Sequence, residues 1–311
     1  MIQEHAVKKN LKKEIDMKRI LITGANKGIG LATVKKLLES YSDTYVLLGS
    51  RDLKRGKQAL KNLLKGDPEF KDRIYLVQID VEQDDSVNSA AEEVGETFGK
   101  TSGTLYGIVN NAGIGNSVAG LEKILQVNTY GPKRICDAFI PLLDSSHGRI
   151  VNVTSASGPI FLSGCSDETK KLLTNPRITW TEIQEYMDKY VYASTNNNIS
   201  SVHSQNTGSA YGLSKACTNA YTIFLAGQHP NLTVNACTPG FIETDMTRSI
   251  AVAVGKTPAE MGMKSPEEGA SASVFLLMDN PEGSGHYYGS DCLRSPIERY
   301  RSPGDPPYTG D

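Results

Sequence analysis

No run of apolar residues in this 311-residue chain approaches the roughly 18 that a helix needs to cross a bilayer, so no membrane span is expected. Residues 1–17 lack the apolar core of a secretory signal. Glu4, Glu14 and Asp16 stand among Lys8, Lys9, Lys12 and Lys13, a mixture that an organelle transit peptide avoids, so this stretch reads as a solvated N-terminal extension. Cysteine is sparse: five residues, an odd number without Cys-x-x-Cys spacing, argue against a disulfide framework and for reduced thiols in the cytoplasm. The five histidines are scattered, and no metal site is expected. A net charge of -2 gives no reason to expect nucleic acid or an anionic membrane as partner.

Glycine, by contrast, is concentrated where it carries meaning. Residues 19–32 read Arg-Ile-Leu-Ile-Thr-Gly-Ala-Asn-Lys-Gly-Ile-Gly-Leu-Ala. Ile20, Leu21 and Ile22 form the short apolar run of a buried parallel strand, and Leu31, Val34, Leu37 and Leu38 continue with helical spacing. Gly24, Gly28 and Gly30 between them allow a tight turn and close backbone approach. The helix N-terminus then presents free N–H groups and a positive dipole end to a pyrophosphate. The spacing is Gly-x-x-x-Gly-x-Gly, not the commoner Gly-x-Gly-x-x-Gly.

A second strand, 45–48, ends in Gly49-Ser50-Arg51. A site for NAD places a carboxylate near this point to grip the ribose 2′-hydroxyl. Arg51 cannot do that, but it can bind a 2′-phosphate, and Lys27 adds charge from inside the glycine turn, which favours NADP. Arg55, one helical turn on, reads better as a solvated base. Further apolar runs at 74–81, 105–109, 149–154, 232–237 and 286–289 alternate with helix-length segments. They predict a single α/β domain over 18–293, a doubly wound parallel sheet of Rossmann type flanked by helices.

Tyr211 and Lys215, in Ser-Ala-Tyr-Gly-Leu-Ser-Lys-Ala, stand four apart, so on a helix they share a face. A phenol titrates at about 10 unperturbed, and a neighbouring ammonium lowers that value, which suits an acid-base group. A lone Tyr-x-x-x-Lys is common by chance; downstream of a dinucleotide turn it points to hydride-transfer chemistry.

These motifs resemble the short-chain dehydrogenase/reductase family over nearly all of residues 18–293. Thr23-Gly24-x-x-x-Gly28-x-Gly30 resembles its cofactor motif, Asn110-Asn111-Ala112-Gly113 the motif ending its fourth strand, and Pro239-Gly240 with Thr244 the motif after its sixth. Asn128, Ser155, Tyr211 and Lys215 match its catalytic tetrad. Within the family, Arg51-Asp52-Leu53-Lys54-Arg55-Gly56 and Lys264-Ser265-Pro266-Glu267-Glu268-Gly269-Ala270 are similar to monomeric NADPH-dependent carbonyl reductases, a pattern shared with plant reductases of monoterpene and alkaloid ketones.

The resemblance implies an NADP site formed by Gly24, Asn26, Lys27, Gly28, Ile29, Gly30, Arg51, Arg55, Asp80, Val81, Asn111, Ala112, Gly113, Tyr211, Lys215, Pro239, Gly240 and Thr244. It implies reduction of a small-molecule carbonyl to an alcohol, with Tyr211 as proton donor and Ser155 orienting the oxygen. Lys215 would lower the Tyr211 pKa and hold the nicotinamide ribose, and Asn128 would hold a water that relays protons to Lys215. The alternatives are a dedicated steroid, terpenoid or alkaloid ketone reductase and, in another class, a regulatory protein that binds NADPH without turnover.

Ser155 and Tyr211 are 56 positions apart, much farther than in most of the family. An insertion over about 158–208 is therefore expected, with a helix at Trp180–Tyr190 and a polar Asn-rich stretch. The resemblance implies that it covers the surface other members use to dimerise, and so a monomer. Phe241 stands where carbonyl reductases usually carry Trp, and Asn116-Ser117 where they carry an aromatic-basic pair. Both departures count against a quinone or glutathione-type preference. The segment 241–263 is expected to close over the substrate with an apolar lining, and the Pro-rich tail, 294–311, to lie extended without a strand.

Overall fold

The computed structural model describes residues 17–116, 119–196 and 209–310. In chain order its elements are β1 (Lys18–Ile22), α1 (Gly28–Ser40), β2 (Thr44–Ser50), α2 (Leu53–Gly66), β3 (Ile74–Gln78), α3 (Asp84–Phe98), β4 (Gly107–Asn110), α4 (Leu121–Leu125), α5 (Gly131–Phe139), β5 (Arg149–Val153), α6 (Ser157–Ser163), α7 (Asp167–Leu173), α8 (Trp180–Thr195), α9 (Ala210–Gln228), β6 (Thr233–Cys237), α10 (Asp245–Ala253), α11 (Pro266–Gly269), α12 (Ser271–Met278), β7 (Tyr287–Tyr288) and β8 (Arg294–Ser295). One sheet runs in the order β3-β2-β1-β4-β5-β6-β7-β8. All neighbours pair in parallel except β7 with β8.

The period of two along each strand divides the core. Leu21 and Leu47 face one layer with Val87, Ile135 and Leu213 from the helices there. Ile20, Ile22, Val46 and Leu48 face the other, with Val34, Leu37 and Leu277. Both faces are buried, which is why these strands read as continuous apolar runs rather than alternating ones. The strand order reverses between β1 and β4, where ligands bind at the carboxyl ends of an open α/β sheet.

Three expectations are corrected. β3 stops at Gln78 rather than running to 81. The Asp80 carboxylate accepts from Glu82 N and its own N–H donates to Ser86 Oγ, so local turn bonding replaces the ladder. The insertion holds more helix than expected, with α6 and α7 preceding α8, and α8 continuing to Thr195. A capping box starts α8: Thr179 Oγ1 accepts from Glu182 N while the Glu182 carboxylate accepts from Thr179 N. The tail does form a strand. β8 pairs antiparallel with β7 through Tyr287↔Ser295 and Tyr288↔Arg294, and Pro296, which has no N–H, ends it. The tail also folds back instead of extending, since Tyr308 N donates to Arg294 O. Most of the extension, part of the Asn-rich stretch and Ser117 lie outside the described residues.

Trp180 explains how the insertion sits. Its ring meets Tyr130 edge-on at 5.3 Å and Tyr221 of α9 at 5.7 Å, with Lys133 Nζ 5.3 Å from the ring centroid. Ile183, Tyr186, Met187 and Tyr190 are buried on the same helix. α8 thus covers apolar surface on α9 and on the segment leading into α5.

Candidate active site

The glycine turn has the shape that its residues require. Gly24 (φ 64°) and Gly28 (φ 54°) occupy left-handed backbone that L side chains rarely adopt. Gly30 has ordinary backbone but no space: a Cβ there would lie 2.6 Å from Gly24 O and closer still to Asn111 Nδ2. Lys27, the N-cap of α1, has extended backbone and contributes no side-chain cap, so the first-turn N–H groups are left for another acceptor. Asn111 ties this turn to β4 by donating Nδ2 to Thr23 O at 2.9 Å and Gly24 O at 3.2 Å. Thr23 Oγ1 accepts from Asn111 N and Ala112 N, each at 3.1 Å. Asn26 and Ile29 lie on the half-exposed turn, and Val81 packs against Gly131 where a Cβ would stand 3.1 Å away.

The three bases differ in what they touch. Lys27 Nζ is 2.7 Å from Asp245 Oδ2, at the start of α10, and this ammonium holds the Asp245 carboxyl below its usual range. Arg55 Nε lies 3.6 Å from Asp52, which caps α2 by accepting from Arg55 N. The exposed Arg51 guanidinium alone of the three has no side-chain partner among the described residues. Thr244 packs on Gly28: a Cβ on that glycine would meet Thr244 Cγ2 at 3.5 Å.

Where β5 ends and α9 begins, the predicted tetrad comes together. Tyr211 stands beside Ser155, which follows β5 and accepts from Ser157 N at 3.2 Å. Lys215, one turn along α9, has its Nζ 5.6 Å from the Tyr211 ring centroid and donates to Val153 O at 2.9 Å. Gly113 passes close to both Lys215 and Asn128: a Cβ on it would lie 3.6 Å from Lys215 Nζ and 3.3 Å from Asn128 Oδ1. Gly240 (φ 91°) follows the buried Pro239 at the end of β6, and its N–H donates to Thr238 Oγ1.

Two details differ from the sequence reading. Burial, not the ammonium, governs the phenol: desolvation pushes Tyr211 above its ordinary value, with the Ser155 hydroxyl opposing, while burial pulls Lys215 down to about 8. Asn128 lies in a π-helical turn, Gln126–Tyr130. Its Nδ2 donates to Ile114 O and Ser214 Oγ at 3.0 Å each, and its Oδ1 accepts from Ile114 N at 2.9 Å. The side chain is therefore committed to holding the β4 loop against α9.

Two residues complete the site in ways the sequence reading does not show, although it singles out Asn116 as a departure from carbonyl reductases. Asn116 Oδ1 accepts from Tyr211 N at 2.9 Å, fixing the start of α9. Thr238, just before Pro239, accepts from Ala156 N and Gly240 N at 3.2 Å each. A hydroxyl or amide in these positions is common in loops, and only the fold gives them partners.

Residues 18–165 match the short chain dehydrogenase profile. A (+)-neomenthol dehydrogenase of Arabidopsis thaliana is 34% identical over 286 residues, covering 83% of this chain and 90% of that one. Human carbonyl reductase [NADPH] 1 is 31% identical over 282 residues, covering 85% and 92%. Among solved structures, salutaridine reductase from Papaver somniferum superposes with a TM-score of 0.73 at 28% identity, covering 87% of this chain and 99% of that one. Menthone neomenthol reductase from Mentha piperita gives 0.70 at 26%, covering 88% and 99%. The fold and these similarities define an oxidoreductase acting on CH–OH and C=O groups. The chain belongs to the short-chain dehydrogenase/reductase family and stands near its carbonyl reductases.

Proposed function

We propose that this protein is an NADPH-dependent reductase of an apolar ketone or aldehyde, with Tyr211 donating the proton. The observation that carries the reading is the joint placement of Ser155, Tyr211 and Lys215 at the carboxyl ends of the strands beside the glycine turn. That turn suits a dinucleotide: uncapped N–H groups at the start of α1, glycines that let a ligand approach the backbone, and an unpartnered Arg51 for a 2′-phosphate. The cofactor, when bound, supplies the hydride.

The chain's own residues do the rest. The Tyr211 hydroxyl gives its proton to the substrate oxygen as negative charge grows there, so that no free alkoxide forms, and Ser155 donates a hydrogen bond to the same oxygen. In the reverse direction the same phenol oxygen takes the proton back. An ammonium has three donors, and the one hydrogen bond described for Lys215 is to Val153 O, which leaves N–H groups for ribose hydroxyls. Asn128 holds the wall of the cleft.

Similarity to proteins named for menthone, neomenthol and salutaridine favours, as a second reading, a dedicated terpenoid or alkaloid ketone reductase. Loss of NADPH absorbance with monoterpene ketones, steroids, quinones and aryl aldehydes separates the two by breadth of substrate. Tight NADPH binding without turnover of any would refute both and favour the regulatory alternative. Tyr211→Phe should bind NADPH normally while the rate falls about 10²–10⁴-fold. Retention of more than a tenth of the rate would remove Tyr211 from the proposed role.

A further inference from the structure

The best-built ionic contact outside the tetrad lies in the C-terminal tail. Arg301 Nη2 donates to both oxygens of Asp291, at 2.5 and 2.7 Å. Its Nε donates to Ser295 Oγ at 2.9 Å, and Nη1 to Ser302 O and Asp305 O at 3.1 and 2.7 Å. Asp291 also accepts from Gly304 N at 3.2 Å and Leu293 N at 3.3 Å. The Arg301 side chain is only 6% exposed. An ion pair this buried, with every guanidinium nitrogen bonded, is a positional pin, unlike an ordinary surface ion pair.

The pin sits at the active-site end of the sheet. Asp291 belongs to the turn between β7 and β8, whose Cys292 (φ 63°) is the one non-glycine residue with positive φ among the described residues. That turn touches the Pro239-Gly240 motif, since a Cβ on Gly240 would lie 3.2 Å from Ser290. The guanidinium lies over Gly289, where a Cβ would meet Arg301 Nη2 at 2.9 Å. The chain at residue 301 is thereby tied to the turn that follows β7. Tyr300 is 47% exposed although its neighbour in sequence is buried. Phe241, directly after Gly240, and Leu293, in the β7–β8 turn, are also more than a third exposed. Large apolar side chains left uncovered in segments joined at one rim mark a place for an apolar ligand.

We propose that the tail forms a wall of the substrate pocket, with Tyr300 contacting the apolar body of a bulky ketone and the Arg301–Asp291 pair acting as its positioning device. The buried Tyr287 supports this placement. Burial holds its proton more tightly, and the phenols of Tyr300 and Tyr211 act in the same direction. Tyr300 and the proton donor thus both lie within electrostatic reach of one buried hydroxyl.

The proposal rests on the carbonyl-reductase reading, and the test separates the two. With NADPH and the full chain, kcat and KM are measured for cyclohexanone and for the two-ring ketone 2-decalone. Tyr300→Ala should raise KM for 2-decalone about five- to tenfold while KM for cyclohexanone and both kcat values change less than about twofold. Tyr300→Phe, which keeps the ring, should behave as wild type. Arg301→Ala should shift the KM ratio in the same sense, its thermal melt confirming that it is folded. A wild type that turns over both ketones with an unchanged KM ratio in Tyr300→Ala overturns the inference alone. A wild type that turns over neither overturns the functional reading, and the inference with it.

Discussion

Gly30→Ala and Gly66→Ala are the same chemical change, a single methyl group on a glycine in or at the end of a helix, yet they should move stability in opposite directions. At Gly30 the new Cβ would meet Gly24 O at 2.6 Å, Asn111 Nδ2 more closely still, and Ala25 Cα at 3.0 Å. Two of these are backbone atoms of the turn. The third belongs to a side chain already committed to Thr23 O and Gly24 O, so nothing can yield cheaply. Overpacking of this kind costs about 1–3 kcal/mol. For a domain this large each kcal/mol lowers Tm by about 2–4 °C, so a fall of about 2–12 °C is expected. Relief can come only by opening the turn, which should weaken NADPH binding by more than about tenfold, or about 1.4 kcal/mol. Gly66 closes α2 with nothing within 4 Å of its Cβ position and no positive φ, so alanine there should stabilise by up to about 1 kcal/mol and leave binding alone. Thermal unfolding and NADPH fluorescence titration of both variants decide the matter. An unchanged Tm and Kd in Gly30→Ala would show that the turn is not close-packed and would refute the reasoning.

Much of this was legible because glycine and strand patterns are local. The turn at Gly24, Gly28 and Gly30 and the buried run at Ile20–Ile22 follow from backbone sterics and from burial of a parallel strand on both faces. The Tyr211–Lys215 spacing likewise needs only the geometry of one helix. What was not legible depends on long-range contact. A phenol beside an ammonium reads as an acidified phenol, but the cleft that brings them together also removes water from both, and burial is the largest influence on each. Lys27 reads as a free base, whereas a residue 218 positions away supplies its carboxylate partner. The Pro-rich tail reads as extended and strandless because Pro296, Pro303, Pro306 and Pro307 forbid a long element. Two residues before the first of them suffice to pair with β7, and the order beyond comes from Arg301, whose partner is set by tertiary structure. The π-turn at Gln126–Tyr130 has no sequence signal of its own.

Arg51→Asp should turn the preference from NADPH toward NADH. One charge-assisted contact is worth about 1.5–3 kcal/mol, or about ten- to a hundredfold in Kd. A wild type that binds NADH as tightly as NADPH would sink the assignment. With α8 covering α9, sedimentation should give a mass near 33.7 kDa; a dimer through α9 would contradict that packing. Lys215 gives a prediction in pH. Burial lowers its pKa to about 8 in the free protein. A ligand whose oxygens accept from the ammonium favours the protonated form, so the pKa in the complex lies above about 8 and binding between the two values takes up a proton. NADPH affinity should therefore be level below about pH 8 and fall above it, by up to about tenfold per unit until the second value is passed. Cys237, the nearby thiol, is pushed up to about 12 and does not titrate in this window. Calorimetry in two buffers of different ionisation enthalpy would register the proton uptake. Lys215→Met should bind more weakly and show no such slope. A wild-type Kd that stays flat from about pH 7 to about 9.5, or a slope that survives in Lys215→Met, would mean that the buried ammonium does not hold the cofactor.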